Sequence, residues 1–157
     1  MTAPLTDVHD FISQRTLAVV GVSRSGKKIG NAIYKSLKEK GYKVFPVHPQ
    51  AETIEGDRCF AGLETLPEKV GGLVICVPPA QTEIVLHQVL AAGITRVWLQ
   101  QGAESYAAIR FCENHGIKVV HGQCLLMFLE PVKSIHRFHR WAWKLIGKYP
   151  SATSSGI

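Results

Sequence analysis

The chain has 157 residues, 46% of them apolar and 19% charged, with a formal net charge of +6. That composition suits one globular domain with a real core, and no run approaches the roughly 20 apolar residues that a membrane-spanning helix needs. Residues 131–157 hold five bases and no acid, against 13 bases and 12 acids before them, so the excess charge belongs to the C-terminal segment.

No basic stretch precedes an apolar one at the N-terminus, so no secretory signal is expected and the cytoplasm is the default location. The four cysteines, Cys59, Cys76, Cys112 and Cys124, lack CxxC pairing and disulfide-framework spacing, and reduced thiols are expected. Residues 7–14 read as a short opening helix with Thr6 as N-cap. The β-branched run at 17–20, ended by Gly21, is too short for a helix and centres a strand over 16–22. A helix over 27–40 places Ile29, Ala32, Ile33 and Leu37 on one face and stops at Gly41. A second strand, 42–47, ends at His48-Pro49.

Residues 50–71 are polar and irregular, with at most a short strand near 58–60 and a helical turn near 63–66. The strand at 72–77 ends at Pro78-Pro79, which cannot continue a central ladder. A helix over 80–92 stops at Gly93. A strand over 95–99, a loop of Gln100, Gln101 and Gly102, a helix over 103–115 and a strand over 117–120 complete the pattern. Apolar strands alternating with helices predict an α/β fold: a Rossmann-like, doubly wound parallel sheet with helices on both faces. The expected division is a Rossmann-like domain over 1–130, a basic amphipathic helix over 131–148 and a disordered tail over 149–157. Val132, Ile135, Phe138, Ala142 and Leu145 give that helix an apolar stripe, for docking on the sheet or on a twin subunit. An anionic membrane surface is an alternative for its basic face that nothing else in the sequence supports. Nucleic acid is disfavoured, because no groove-reading motif accompanies the charge.

In an open parallel sheet, ligands bind beyond the carboxyl ends of the strands. The loops leaving those ends are 21–26, 48–49, 77–79 and 100–102, with 122–124 as a fifth, and none of them carries an acid. The first runs from a strand into a helix start, where main-chain amides without helical partners and the helix dipole favour an anion. Arg24, Lys27 and Lys28 add positive charge there. Two phosphate signatures fail on particular residues. A Walker A loop needs a hydroxyl after Lys27 to hold Mg²⁺, and Lys28 stands in that place. The dinucleotide fingerprint needs glycine where Ser23 stands, and an acid at the end of the second strand where Val47, His48 and Pro49 stand. NAD is thereby disfavoured. An NADP-dependent reductase stays open, because Arg24 or a lysine could meet a 2′-phosphate.

A third pattern is a resemblance. Gly21-Val22-Ser23, Lys28 and Gly30, the stretch 41–49 ending in Pro46-Val47-His48-Pro49, then Val77-Pro78-Pro79, then Trp98-Leu99-Gln100-Gln101-Gly102 resemble the CoA-binding domain family over about residues 5–125. That family is similar to the N-terminal domain of the succinyl-CoA synthetase α subunit. The resemblance implies coenzyme A or an acyl-CoA as ligand, held by Gly21, Val22, Ser23, Arg24, Ser25, Lys27, Lys28, Val47, His48, Pro49, Val77, Pro78, Pro79, Gln101 and Gly102. Pro78 and Pro79 would offer a flat apolar platform for adenine. His48 stands where the family usually has Asn, and Leu125 follows Cys124 where proline is common.

The catalytic inventory is thin. No paired carboxylates and no serine nucleophile elbow are present. The synthetase reaction also needs a second domain with a phosphorylated histidine, for which 157 residues leave no room. A binding protein without catalysis is expected, with a basic adaptor carrying a vestigial loop as the interaction alternative. Cys124 is the one candidate nucleophile, activated if His121 lowers its pKa. His121, Cys124, His136 and His139 could offer four zinc donors, but their spacing matches no common site and no metal is expected. Gly21→Val is expected to block amide access and abolish binding while the fold survives.

Overall fold

The computed structural model describes residues 4–129. The elements in order are α1 (Leu5–Ile12), β1 (Thr16–Val20), α2 (Ile29–Glu39), β2 (Lys43–Val47), β3 (Thr53–Ile54), β4 (Asp57–Arg58), β5 (Gly72–Ile75), α3 (Pro79–Ala92), β6 (Arg96–Gln100), α4 (Tyr106–Asn114) and β7 (Lys118–Gln123), with 3-10 turns at Leu63–Thr65 and Leu125–Met127. Five strands form one parallel sheet in the order β2-β1-β5-β6-β7. Strand order reverses between β1 and β5, and this is the switch point at which doubly wound sheets open a crevice.

Alternation along the strands sorts the core into two layers. Leu17, Val19, Val74, Trp98 and Val120 face α1 and α2, and meet Phe11, Ile33 and Leu37. Ala18, Leu73, Ile75, Val97 and Leu99 face α3 and α4, and meet Leu86, Val89, Ala108 and Cys112. The expected Rossmann-like architecture with helices on both faces is therefore the observed one. Trp98 anchors the first layer, with Phe11 edge-on at 5.5 Å and its indole N–H donating to the Gln123 carbonyl at 3.2 Å.

Several boundaries move for identifiable reasons. Pro4 occupies the N-cap of α1, leaving Thr6 inside the helix. The second helix begins at Ile29 rather than 27, so Lys27 and Lys28 belong to the loop. The fourth begins after Ser105, whose hydroxyl accepts from the Ala108 amide at 3.0 Å, instead of at 103. Strand β7 runs on to Gln123, which pairs with Gln100 beyond an irregularity, so 122–124 is not a free loop. The stretch read as irregular contains the β3–β4 hairpin. The helix expected over 131–148 and the tail after it lie outside the described residues.

Candidate functional site

The glycines at the switch point bring backbones together. Gly21 has φ +108, and a Cβ there would lie 2.5 Å from the Cys76 carbonyl oxygen at the end of β5. A Cβ on Gly30, in the first turn of α2, would collide with the Gly21 carbonyl. The helix start therefore rests on the loop, and the loop on β5. A side chain at Gly21 would break this stack, so the expectation that Gly21→Val spares the fold is corrected.

The loop's own amides are less open than its sequence suggests. The Ser23 N–H donates to Asn31 Oδ1 at 2.8 Å, Ser25 N–H to Ser23 Oγ at 3.1 Å, Gly26 N–H to the Ser23 carbonyl at 3.1 Å and Lys27 N–H to Ser25 Oγ at 3.2 Å. Among the described residues, the Val22 and Arg24 amides of the loop stay open, and so does the start of α2. Lys28 caps it without a side-chain hydrogen bond, and the amides of Lys28, Ile29 and Gly30 have no acceptor among the described residues. Open amides therefore lie both in the loop and at the helix start, where a helix dipole adds to them.

Beside this point lies a cleft of about 400 Å³, lined by Val20 at the end of β1 and Gly21, Val22 and Lys28 beyond it, Val47 at the end of β2 with His48 and Pro49 beyond it, and Cys76, Val77 and Pro78 after β5. Ala61, Gly62 and Glu64, together with Gln81, Val85 and Gln88 of α3, complete the lining. Of the sequence-predicted residues, Gly21, Val22, Lys28, Val47, His48, Pro49, Val77 and Pro78 share this cleft. Ser23, Arg24, Ser25 and Lys27 form the adjoining loop. Pro79 opens α3 outside the cleft lining. Gln101 and Gly102 also lie outside it: Gln101 Nε2 donates to the Gly122 carbonyl at 3.3 Å, and the Gly102 N–H to Glu104 at 2.7 Å. The α3 residues were missed, although their i, i+4, i+7 spacing is the signal of one helix stripe. Glu64 was missed because it arrives from the irregular stretch, and it places an acid where none was expected.

His48 explains its own departure from Asn. Its Nδ1 accepts the amides of Gln50 at 3.0 Å and Ala51 at 3.1 Å, as a side-chain carbonyl would. The ring proton therefore sits on Nε2, and the ring is neutral. Burial, then the charges of Arg24 and Lys28, hold its pKa below the ordinary histidine value.

Cys124 is not an activated thiol. It is buried, and burial pushes its pKa up, only partly opposed by the Gln100 amide donating to Sγ at 3.0 Å. The Gln100 oxygen accepts the Leu125 amide at 3.1 Å, so the glutamine is a buried structural link between β6 and the following turn. His121 is itself pushed below its ordinary value by burial. Of the four conceivable zinc donors, His136 and His139 lie outside the described residues.

The family model of the CoA binding domain matches residues 15–130. The chain belongs to this family. Among curated relatives it is 25% identical over 126 residues to the acetate–CoA ligase [ADP-forming] II subunit alpha of Pyrococcus furiosus, covering 73% of this chain and 28% of the relative. It is 29% identical over 121 residues to the acetate–CoA ligase [ADP-forming] of Methanocaldococcus jannaschii, covering 71% of this chain and 17% of the ligase. The CoA-binding domain thus spans under a third of the ligases it matches. Among solved structures, a conserved hypothetical protein from Pyrococcus furiosus is 37% identical with a TM-score of 0.70, covering 73% of this chain and 99% of that one.

Proposed function

We propose that this protein binds coenzyme A or an acyl-CoA across the switch point, with phosphate groups at the start of α2 and the rest of the ligand along the cleft. One observation carries the reading: in a CoA-binding-family domain, an uncapped helix start adjoins a cleft of about 400 Å³. That volume lies within the usual range of small-molecule sites. Arg24, Lys27 and Lys28 have no ion-pair partner among the described residues, so their charge is available to a polyanion. Pro78 supplies an apolar wall.

The role is binding without chemistry of its own, in the cytoplasm. The cysteines Cys76 and Cys124 both have thiol pKa values raised by burial, which disfavours the thiolate.

A thermal-shift panel of CoA, acetyl-CoA, NADP, NAD and ATP tests this. Ligand at about 100 times its Kd adds about 2.7 kcal/mol, a rise of several degrees for a chain of this size. A response confined to CoA and its thioester is the expected result. A response to NADP alone would replace it with a reductase, and no response to any of the five would favour an adaptor.

A further inference from the structure

Two carboxylates of the β3–β4 hairpin grip α2. Asp57 accepts from Tyr34 Oη at 2.6 Å and pairs with Lys38 Nζ at 2.5 Å. Glu55 accepts from Asn31 Nδ2 at 2.9 Å, with Lys35 Nζ 3.8 Å from its other oxygen. Asn31, Tyr34, Lys35 and Lys38 follow i, i+3, i+4, i+7, so the hairpin lies along one ridge of the helix.

The two grips differ in what stands behind them. Behind Asp57 is Tyr34, a core ring. Behind Glu55 is Asn31, which is 0% exposed and whose amide is committed to the glycine loop. Asn31 Oδ1 takes the Ser23 N–H at 2.8 Å while Nδ2 donates to the Ser23 carbonyl at 2.9 Å. Ser23 Oγ then holds the Ser25 amide, and Ser25 Oγ the Lys27 amide. An Asn31 amide turned over would set its oxygen against both the Ser23 carbonyl and the Glu55 carboxylate. The Ser23 N–H and carbonyl select this orientation, and Glu55 reinforces it as a second, charged acceptor for Nδ2, and through the amide the loop.

Glu55 also adopts an uncommon backbone. It has φ +52, the one positive φ of a non-glycine residue among those described, and Gly56 follows at φ +82. Two successive positive values make a type I′ turn, which prefers Asn, Asp or Gly in the first place. A glutamate held there at a conformational cost points to a task for its side chain.

We propose that Glu55 is a positioning residue for the phosphate loop, acting through Asn31 to hold residues 23–27 clear of the open amides of α2. This rests on the CoA-binding reading for the identity of the ligand. The test uses Glu55→Ala, Glu55→Gln (which keeps an acceptor), Glu55→Gly (which also relaxes the backbone), and Asp57→Ala (which cuts the other grip). The readouts are amide hydrogen exchange at Ser23 in the ligand-free protein and the calorimetric Kd for CoA. Losing one hydrogen bond to a charged group is expected to raise Ser23 exchange and weaken CoA, each by about tenfold, in both Glu55→Ala and Glu55→Gly. Glu55→Gln should restore both to within about threefold, and Asp57→Ala should leave the Kd within about twofold while lowering Tm.

Unchanged Ser23 exchange in Glu55→Ala and Glu55→Gly would overturn the clamp, whatever CoA does. Faster exchange with unaltered CoA affinity would overturn its link to the site. Asp57→Ala matching Glu55→Ala in both readouts would reduce Glu55 to a structural role. If the unaltered protein fails to bind CoA, the functional reading falls, and the exchange measurement still decides the clamp.

Discussion

The two ends of the sheet are held by different forces. At the amino ends of the strands, charged side chains find partners within the molecule. Asp10 accepts from Arg96 Nε at 2.7 Å with Lys118 Nζ 3.6 Å away, Lys43 pairs with Glu68, and Arg15 lies 4.0 Å over the Tyr42 ring. At the carboxyl ends, backbone meets backbone through Gly21 and Gly30, while Arg24, Lys27 and Lys28 form no ion pair among the described residues. Charge spent internally stabilises a fold. Charge left unpaired beside open amides is available to a ligand. The contrast makes stability and binding separable by substitution.

The largest effect is expected where backbones touch. Gly21→Val combines a positive φ with a contact 2.5 Å from the Cys76 carbonyl. Overpacking and backbone strain together should cost about 3 kcal/mol or more, lowering Tm by about 10 °C. Gly30→Ala should lose a similar amount against the Gly21 carbonyl. A near-native melting curve for either would mean that the switch point is looser than its geometry implies.

Next comes the cationic rim. Arg24→Ala with Lys28→Ala should weaken CoA by about tenfold at low salt, about 1.4 kcal/mol, and flatten the salt dependence of binding. Tm should hardly move. If Tm falls and affinity does not, the charges serve the fold and the contrast between the two ends fails.

Asp10→Ala is the reciprocal experiment. An exposed to half-exposed network should contribute about 1 kcal/mol to stability and nothing to CoA affinity. Hydrogen bonding from Arg96, then its charge and that of Lys118, hold the Asp10 pKa below 3.8 against burial. A carboxyl with a depressed folded pKa stabilises fully above its unfolded value. That share is lost as pH falls below 3.8 and through the folded pKa. Acid melts of the two proteins should therefore converge at low pH.

How far the sequence reveals this contrast depends on which atoms make the contacts. Strands β1, β5 and β6 are legible as apolar runs bounded by glycine, proline or glutamine, because burial on both faces demands such runs. The end of β7 is not, since His121, Gly122 and Gln123 look like loop. Burial of Gln123 follows from pairing with Gln100 and from the Trp98 indole on its carbonyl. The β3–β4 hairpin is hidden because two-residue strands show no periodicity, and Glu55-Gly56 is not a common turn pair. At the site, the glycines stand out by type, but their task is close approach rather than exposure of amides. Asn31 pairs with a residue eight positions away, a contact no local motif encodes. The position of Arg24, Lys27 and Lys28 in the loop, by contrast, needs only residue type and chain position, and of the three Lys28 lines the cleft.

The smallest expected effect is also the one that couples the two properties. His48 stabilises its turn only when neutral, because Nδ1 must accept the Gln50 and Ala51 amides. Its folded pKa lies below 6.5, so the unfolded chain takes up a proton first as pH falls. Stability is fully present above 6.5 and declines from there down to the folded value. A bound polyanion works in the opposite sense, since its phosphates would offset Arg24 and Lys28 and raise the pKa of the ring. Ligand-free melts should therefore show stability falling as pH drops from 8 to 5, and CoA should shrink that loss. His48→Asn should supply the same acceptor without titrating, and so reduce the slope to the share that His121, also lowered by burial, contributes, while keeping affinity within about twofold. A slope undiminished in His48→Asn would assign the pH dependence to another group, His121 first, and take His48 out of the coupling between turn and ligand.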